Sequence, residues 1–333
     1  MTALLLTLAV PSLAAACAGR DMLAELAAAD PDAHAALLAR GAAIPNGEGR
    51  LWRVEGPDGG VSHLFGTYHD TETYATLTPT VTDTLAGARR FVAELTEAEI
   101  GEMEARIAAD PLFSLQLEQA VDVRSLADRL TPEERRVAAD ALARRGMTLE
   151  IAAMLKPWVL FSALGVPACQ LEAMTTGAPV LDRQLMAEAA ARGVPVSGLE
   201  DFDVALGAFD LIDANTALAL IRDSLALAPR EEDVRATMVA LYAEGRIGVL
   251  QAFAEDLGTR YSPRDPAEVA RDNARFAEAL IVRRNEAWMA RLLPALEGGG
   301  AFVAVGALHL PDEMGLVALL RGAGFTVTAV PEG

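Results

Sequence analysis

Two stretches of the chain end an apolar run with a glycine and place a histidine three residues later: Leu64-Phe65-Gly66-Thr67-Tyr68-His69 and Val303-Ala304-Val305-Gly306-Ala307-Leu308-His309. The chain has four histidines, so two of them stand in matched positions. Imidazole both ligates borderline metals and moves protons near neutral pH. Glu94 follows the apolar Phe91-Val92-Ala93 in the same manner, and Glu200 closes the stretch from Val194 to Leu199. Two imidazoles and a carboxylate form a divalent-metal set with positions left for water. A set of His69, Glu94 and His309 suits Mn2+, Co2+, Zn2+ or Fe2+ without choosing among them. Without a metal the same groups offer Glu94 as general base and a histidine to polarise or protonate. Glu200-Asp201 also has the chemistry of a helix cap. His34 and His63 read as lying outside any site.

The elements that must position these residues follow from periodicity and breakers. Leu51 to Val54 and Val61 to Phe65 read as strands joined by the turn Pro57-Asp58-Gly59-Gly60. Further strands are expected at Phe91 to Ala93, Val194 to Val196, Ala301 to Val305 and Thr326 to Val330. Residues 20–43 read as helical, as do about 101–190 and 203–298; Thr131-Pro132-Glu133-Glu134 is a capping box with Pro at the first helical position. A long helix is expected from Pro266 to Leu296, ended by Gly298-Gly299-Gly300. On it Phe276, Leu280, Ile281, Trp288 and Leu292 form an apolar stripe that includes Arg284 and Asn285. A guanidinium in such a stripe needs a partner, either a carboxylate tying helix to sheet or a substrate anion. Lys156-Pro157-Trp158 reads as a packing elbow.

The expected fold is therefore α/β: a mixed sheet of two strand–Gly-x-x-His–helix–strand halves, with a large helical insertion. Residues 50–100, 194–200 and 300–330 would supply the α/β core of a single domain spanning 17–333. In open α/β sheets ligands bind beyond the carboxyl ends of strands, so both histidines and both glutamates are aimed at one site. Each glycine is expected to allow a turn that a Cβ would oppose, setting the two histidines at one level.

Residues 1–16 read as a signal peptide, with a short apolar core from Leu4 to Val10 and small residues before Cys17, though without a basic leading segment. The expected location is periplasmic or secreted. An exported chain with only Cys17 and Cys169 is expected to pair them; lipidation of Cys17 is the less favoured alternative. With 28 basic against 47 acidic residues, a net charge of −19 disfavours nucleic acid and anionic lipid as partners. Later in the chain nothing reads as a transmembrane span. The partner left is a peptide or small-molecule substrate.

These motifs resemble the TraB/GumN family, which includes the Tiki-type metalloproteases. The resemblance runs over roughly residues 50–330. It rests on the block ending at His69, on Glu94, on Val194 to Glu200, on Arg284-Asn285 with Trp288, and on Val305 to Pro311. It implies a fold related to erythromycin esterase and ChaN-like proteins. It also implies a shared site of His69, Glu94 and His309 with Arg284 and Asn285 nearby, and favours Mn2+ or Co2+ in a peptidase-like hydrolase. Non-enzymatic binding of haem, metal or peptide is the alternative, and a metal-free esterase-like hydrolase another. Tyr68 and Asp70 replace apolar residues of the family pattern, Asp70 offering a further carboxylate; Asp312 stands where glycine is frequent.

Overall fold

The computed structural model describes residues 17–110 and 129–332. The expected signal segment and residues 111–128 of the expected helical stretch lie outside the described residues.

Six strands form one mixed sheet: β1 (Leu51–Glu55), β2 (Val61–Thr67), β3 (Arg90–Ala93), β4 (Val196–Gly198), β5 (Ala301–Gly306) and β6 (Thr326–Ala329), in the order β4-β3-β5-β2-β1-β6. β1 is antiparallel to both its neighbours; the other five strands run the same way. β1 and β2 form the expected hairpin. At its turn Gly59 has φ 78°, and the Asp58 carboxylate accepts from the Gly60 and Gly298 amides. Gly298, Gly299 and Gly300 all have φ near 70–77°, which ends the preceding helix as only glycine does cheaply.

β5 is buried along Ala301 to Val305 because both faces of the sheet are covered. Phe302 and Ala304 point to one face with Phe65 and Phe91, packed under helices that include Leu181, Leu185, Tyr242 and Phe253. Val303 and Val305 point to the other with Leu64 and Val92, against Trp288, Leu292, Leu296 and Leu320. The three phenylalanines of β2, β5 and β3 stack in a row across the sheet. Helices between β3 and β5 build two further small cores of their own.

Several helical expectations are refined by local chemistry. Residues 22–43 form two helices, Met22–Ala29 and Pro31–Ala43, because Asp30 caps the second and Pro31 starts it. The capping box at Thr131 and Glu134 is present. Trp158 stacks on Phe209 at 5.0 Å beyond Pro157, the packing elbow expected there. The long helix divides: Pro266–Ala277 is α-helical, Glu278–Val282 is a π turn, and Arg283–Leu296 is α-helical again. The stripe divides with it. Leu280 packs into a helical core, whereas Trp288 and Leu292 pack on the sheet. Asp312, with φ 76°, occupies the left-handed region, which glycine adopts most readily.

Candidate functional site

The carboxyl ends of β4, β3, β5 and β2 lie side by side, and each carries one expected residue. Glu200 follows β4, Glu94 follows β3, Gly306 ends β5 with His309 three residues on, and His69 follows β2. The helix Arg283–Leu296 brings Arg284 and Asn285 to the same place. The π turn just before it adds a residue to the helical repeat, and such turns recur at functional sites.

The two Gly-x-x-His motifs are staggered by one residue. Gly66 pairs with Val305, and Thr67 pairs with Gly306. Neither glycine has a positive φ, so the expected turn conformation is not their reason. Gly66 provides clearance, since a Cβ there would stand 2.8 Å from Leu310 and 2.9 Å from Ala307 Cα. At Gly306 a Cβ would instead stand 3.4 Å from Glu94 Oε1, 3.5 Å from His309 Cδ2 and 3.6 Å from His69 Nε2. The missing side chain leaves a small polar cradle in which these groups converge.

The histidines are not equivalent, contrary to the sequence expectation. His309 is 3% exposed, whereas the His69 side chain is 61% exposed. His309 Nδ1 lies 2.7 Å from Asn285 Oδ1. Asn285 Nδ2 donates to the His309 and Met314 carbonyls at 3.2 and 2.9 Å, so its oxygen must face the ring. Nδ1 therefore carries the proton, and Nε2 is a bare acceptor. Burial drives the His309 pKa down to about 3, with Arg284 and His69 acting the same way against Glu94, so the ring is neutral. Trp288 stacks against it at 4.4 Å and also lies under the Arg284 guanidinium, 4.6 Å from the ring centre.

His69 Nδ1 meets Asp182 Oδ2 at 2.7 Å, and Thr67 Oγ1 donates to Asp182 Oδ1. Asp182 lies in the first turn of the helix Leu181–Ala191, where the helix dipole favours a carboxylate. The charge of Asp182 is the largest influence on His69 and pushes it up to about 9 against desolvation, with Glu94 adding to the rise.

Arg284 resolves the two readings of its charge in favour of ion pairing. Nη2 donates to Glu94 Oε2 at 2.6 Å, Nε donates to Glu200 Oε1 at 3.0 Å, and Nη1 reaches His309 Nε2 at 3.4 Å. Glu200, 3% exposed, is thus held by the guanidinium, and the helix after Asp201 starts without a side-chain cap. The Gly306 amide donates to Glu94 Oε1 at 2.7 Å. Burial acts to raise the Glu94 pKa, but His309, Arg284, His69 and that amide outweigh it and hold the carboxyl at about 2.

Asp70 does not join the site. Its carboxylate takes two hydrogen bonds from buried Arg235, at 2.6 and 2.9 Å, and one from the Glu72 amide. His63 lies within β2 opposite Arg53, and His34 is on the helix Pro31–Ala43, both away from the strand ends. Asp182 and Thr67 were not singled out from sequence. Asp182 is 113 residues from His69, and an acidic residue opening a helix carries no mark of that partnership.

The expected metal set fits this arrangement poorly. Both Glu94 oxygens are already engaged, and His309 Nε2, 3.9 Å from Glu94 Oε1, is also met by the Arg284 guanidinium at 3.4 Å. Among the described residues no group of three or more His, Cys, Asp or Glu side chains is spaced to hold a metal ion.

The sequence matches the model of the TraB/PrgY/gumN family over residues 50–329. No curated protein matches it.

Proposed function

The chain belongs to the TraB/PrgY/gumN family, and on that footing we propose that it is an exported hydrolase in which an Asp182–His69 pair activates water. The single observation that carries this reading is the 2.7 Å contact between Asp182 Oδ2 and His69 Nδ1, with Nε2 left at the cradle over Gly306. A base oriented by a carboxylate is the recurring arrangement for generating a nucleophile. Water placed over Gly306 loses its proton to His69 Nε2 and attacks a carbonyl carbon. Asp182 steadies the resulting imidazolium. Arg284, its side chain 17% exposed and held by Glu94 and Glu200, supplies a fixed positive charge near the negative charge that grows on the carbonyl oxygen.

Magnitudes favour His69 over Glu94 as the base. At neutral pH a base of pKa about 9 is ~1% unprotonated. Its raised proton affinity makes it the stronger base, whereas the surroundings of Glu94 lower that of the carboxylate. Glu94 instead serves as a fixed negative charge that orients Arg284 and favours protonated His69.

A metal-dependent hydrolase is the second reading. It is favoured by each histidine's Nδ1 being committed to an oxygen, of Asp182 and of Asn285, as in the outer shell of metal sites. His69, Glu94 and His309 become one ligand set only if Arg284 leaves His309. Export is supported by the Cys17–Cys169 disulfide, which engages Cys17 and suits an oxidising compartment. Among the described residues no single helix is long and apolar enough to cross a membrane.

The test is hydrolysis of p-nitrophenyl acetate and of a fluorogenic peptide mixture by the oxidised protein, with and without chelator, beside His69→Ala and Asp182→Ala. Activity that survives chelator and is lost in both variants supports the His69 base. Activity lost in chelator and restored by Mn2+ or Co2+ moves the assignment to the metal reading. Activity retained in His69→Ala refutes both.

A further inference from the structure

His69 sits on a loop rather than in the sheet, so something outside the strands must hold it. The two residues that follow it are fastened to different helices. Asp70 is pinned by Arg235, and its carbonyl accepts from the Leu181 amide at 3.2 Å, next to Asp182. Thr71 is held through Gln170, whose Oε1 accepts both the Thr71 amide at 2.9 Å and the Thr71 hydroxyl at 3.0 Å.

Gln170 is 3% exposed and is the only buried residue of its helix, Ala168–Thr175. That helix therefore has almost no apolar anchorage. Its other fastening is covalent: Cys169, the residue before Gln170, is bonded to Cys17, with Cα atoms 5.5 Å apart across 152 residues of sequence. Gln170 Nε2 lies 3.6 Å from Cys17 Sγ. The segment after Cys17 is in turn tied to the helix Glu231–Ala243, since the Ala18, Arg20 and Met22 amides donate to Glu232, Asp233 and Thr237. Arg235 belongs to the same helix. The disulfide thus closes a clasp from one scaffold helix, through Gln170, onto the loop that carries His69.

We propose that Gln170, held by the Cys17–Cys169 disulfide, is a positioning residue for His69, and that the site is consequently sensitive to reduction. The catalytic half of this statement rests on the hydrolase reading above; the mechanical half does not. Reduction by excess dithiothreitol breaks the S–S bond, leaves thiols at Cys17 and Cys169 and converts the dithiol to its cyclic disulfide.

Hydrogen exchange of the full chain, followed by mass spectrometry, reads the clasp without a substrate. Reduction, and separately Gln170→Leu with the disulfide intact, are expected to speed exchange of the Thr71 amide at least about tenfold while amides of β2 and β5 keep their protection. In the same samples kcat for ester hydrolysis is expected to fall at least about tenfold with KM within about twofold, because reactive geometry is lost rather than substrate contact. Unchanged Thr71 exchange overturns the proposal, as does a loss of protection spread evenly over the sheet. The expected exchange pattern in a protein that hydrolyses nothing when oxidised refutes the hydrolase reading and leaves the clasp standing.

Discussion

If Asp182 sets the proton affinity of His69, the pH dependence of hydrolysis must report it. His69 is pushed up to about 9 from an ordinary 6.5, chiefly by Asp182. A base is active only unprotonated, so kcat/KM should rise with pH, about tenfold per unit below the pKa, and level off near pH 9. p-Nitrophenyl acetate is the appropriate probe because its leaving group needs no acid, so the limb reports the base alone. In Asp182→Asn the largest upward influence is gone, and the limb should move down by at least one unit, toward 6.5. The weaker base should also lower the plateau: about 2.5 units at a Brønsted slope of about 0.5 is roughly twentyfold, before any loss from misorientation of the ring. The reasoning is refuted by a rate that falls above pH 9, which would make His69 a proton donor. It is equally refuted by a limb that stays in place when Asp182 is changed.

Gly306→Ala should be tolerated by the fold, because φ at Gly306 is −52° and the new Cβ would meet Glu94, His309 and His69 at 3.4–3.6 Å. It should nonetheless cut hydrolysis at least about tenfold by filling the space for water. Gly66→Ala, with its Cβ 2.8–2.9 Å from Leu310 and Ala307, should cost about 1–3 kcal/mol in urea unfolding; the reverse ranking of these two variants would contradict the roles given to the glycines. Arg284→Leu strands the Glu200 carboxylate, 3% exposed, and takes from Glu94 its guanidinium partner, so unfolding should be easier by about 3–5 kcal/mol at neutral pH and by less in acid. The His69–Asp182 pair links stability to pH with a definite sign. The folded pKa of His69 is raised, so its contribution is full below about pH 6.5 and is lost as pH rises through about 9. The ring is 61% exposed, so solvent screening reduces that contribution, which is read as the difference between wild type and His69→Ala across that window.

Much of this architecture was legible in the sequence because its determinants are local. Alternating apolar residues, the Pro-Asp-Gly-Gly turn, the triple glycine and the capping box each act within a few residues and so mark the strands, the hairpin and the helix ends. A residue at the carboxyl end of a strand inherits its direction from that strand, and so His69, Glu94, Glu200 and His309 could be assigned to one end of the sheet before their neighbours were known. The disulfide was readable because only one pairing of Cys17 and Cys169 exists. What the tertiary structure decided is how these groups divide the chemistry. The two Gly-x-x-His motifs are alike in sequence, yet a one-residue stagger between β2 and β5 and the packing of Trp288 bury one histidine as a neutral acceptor and leave the other exposed. Asp182, Gln170 and the Arg284 guanidinium reach their partners across 84–190 residues. Charge state depends on distance and burial in three dimensions, and periodicity carries no information about either.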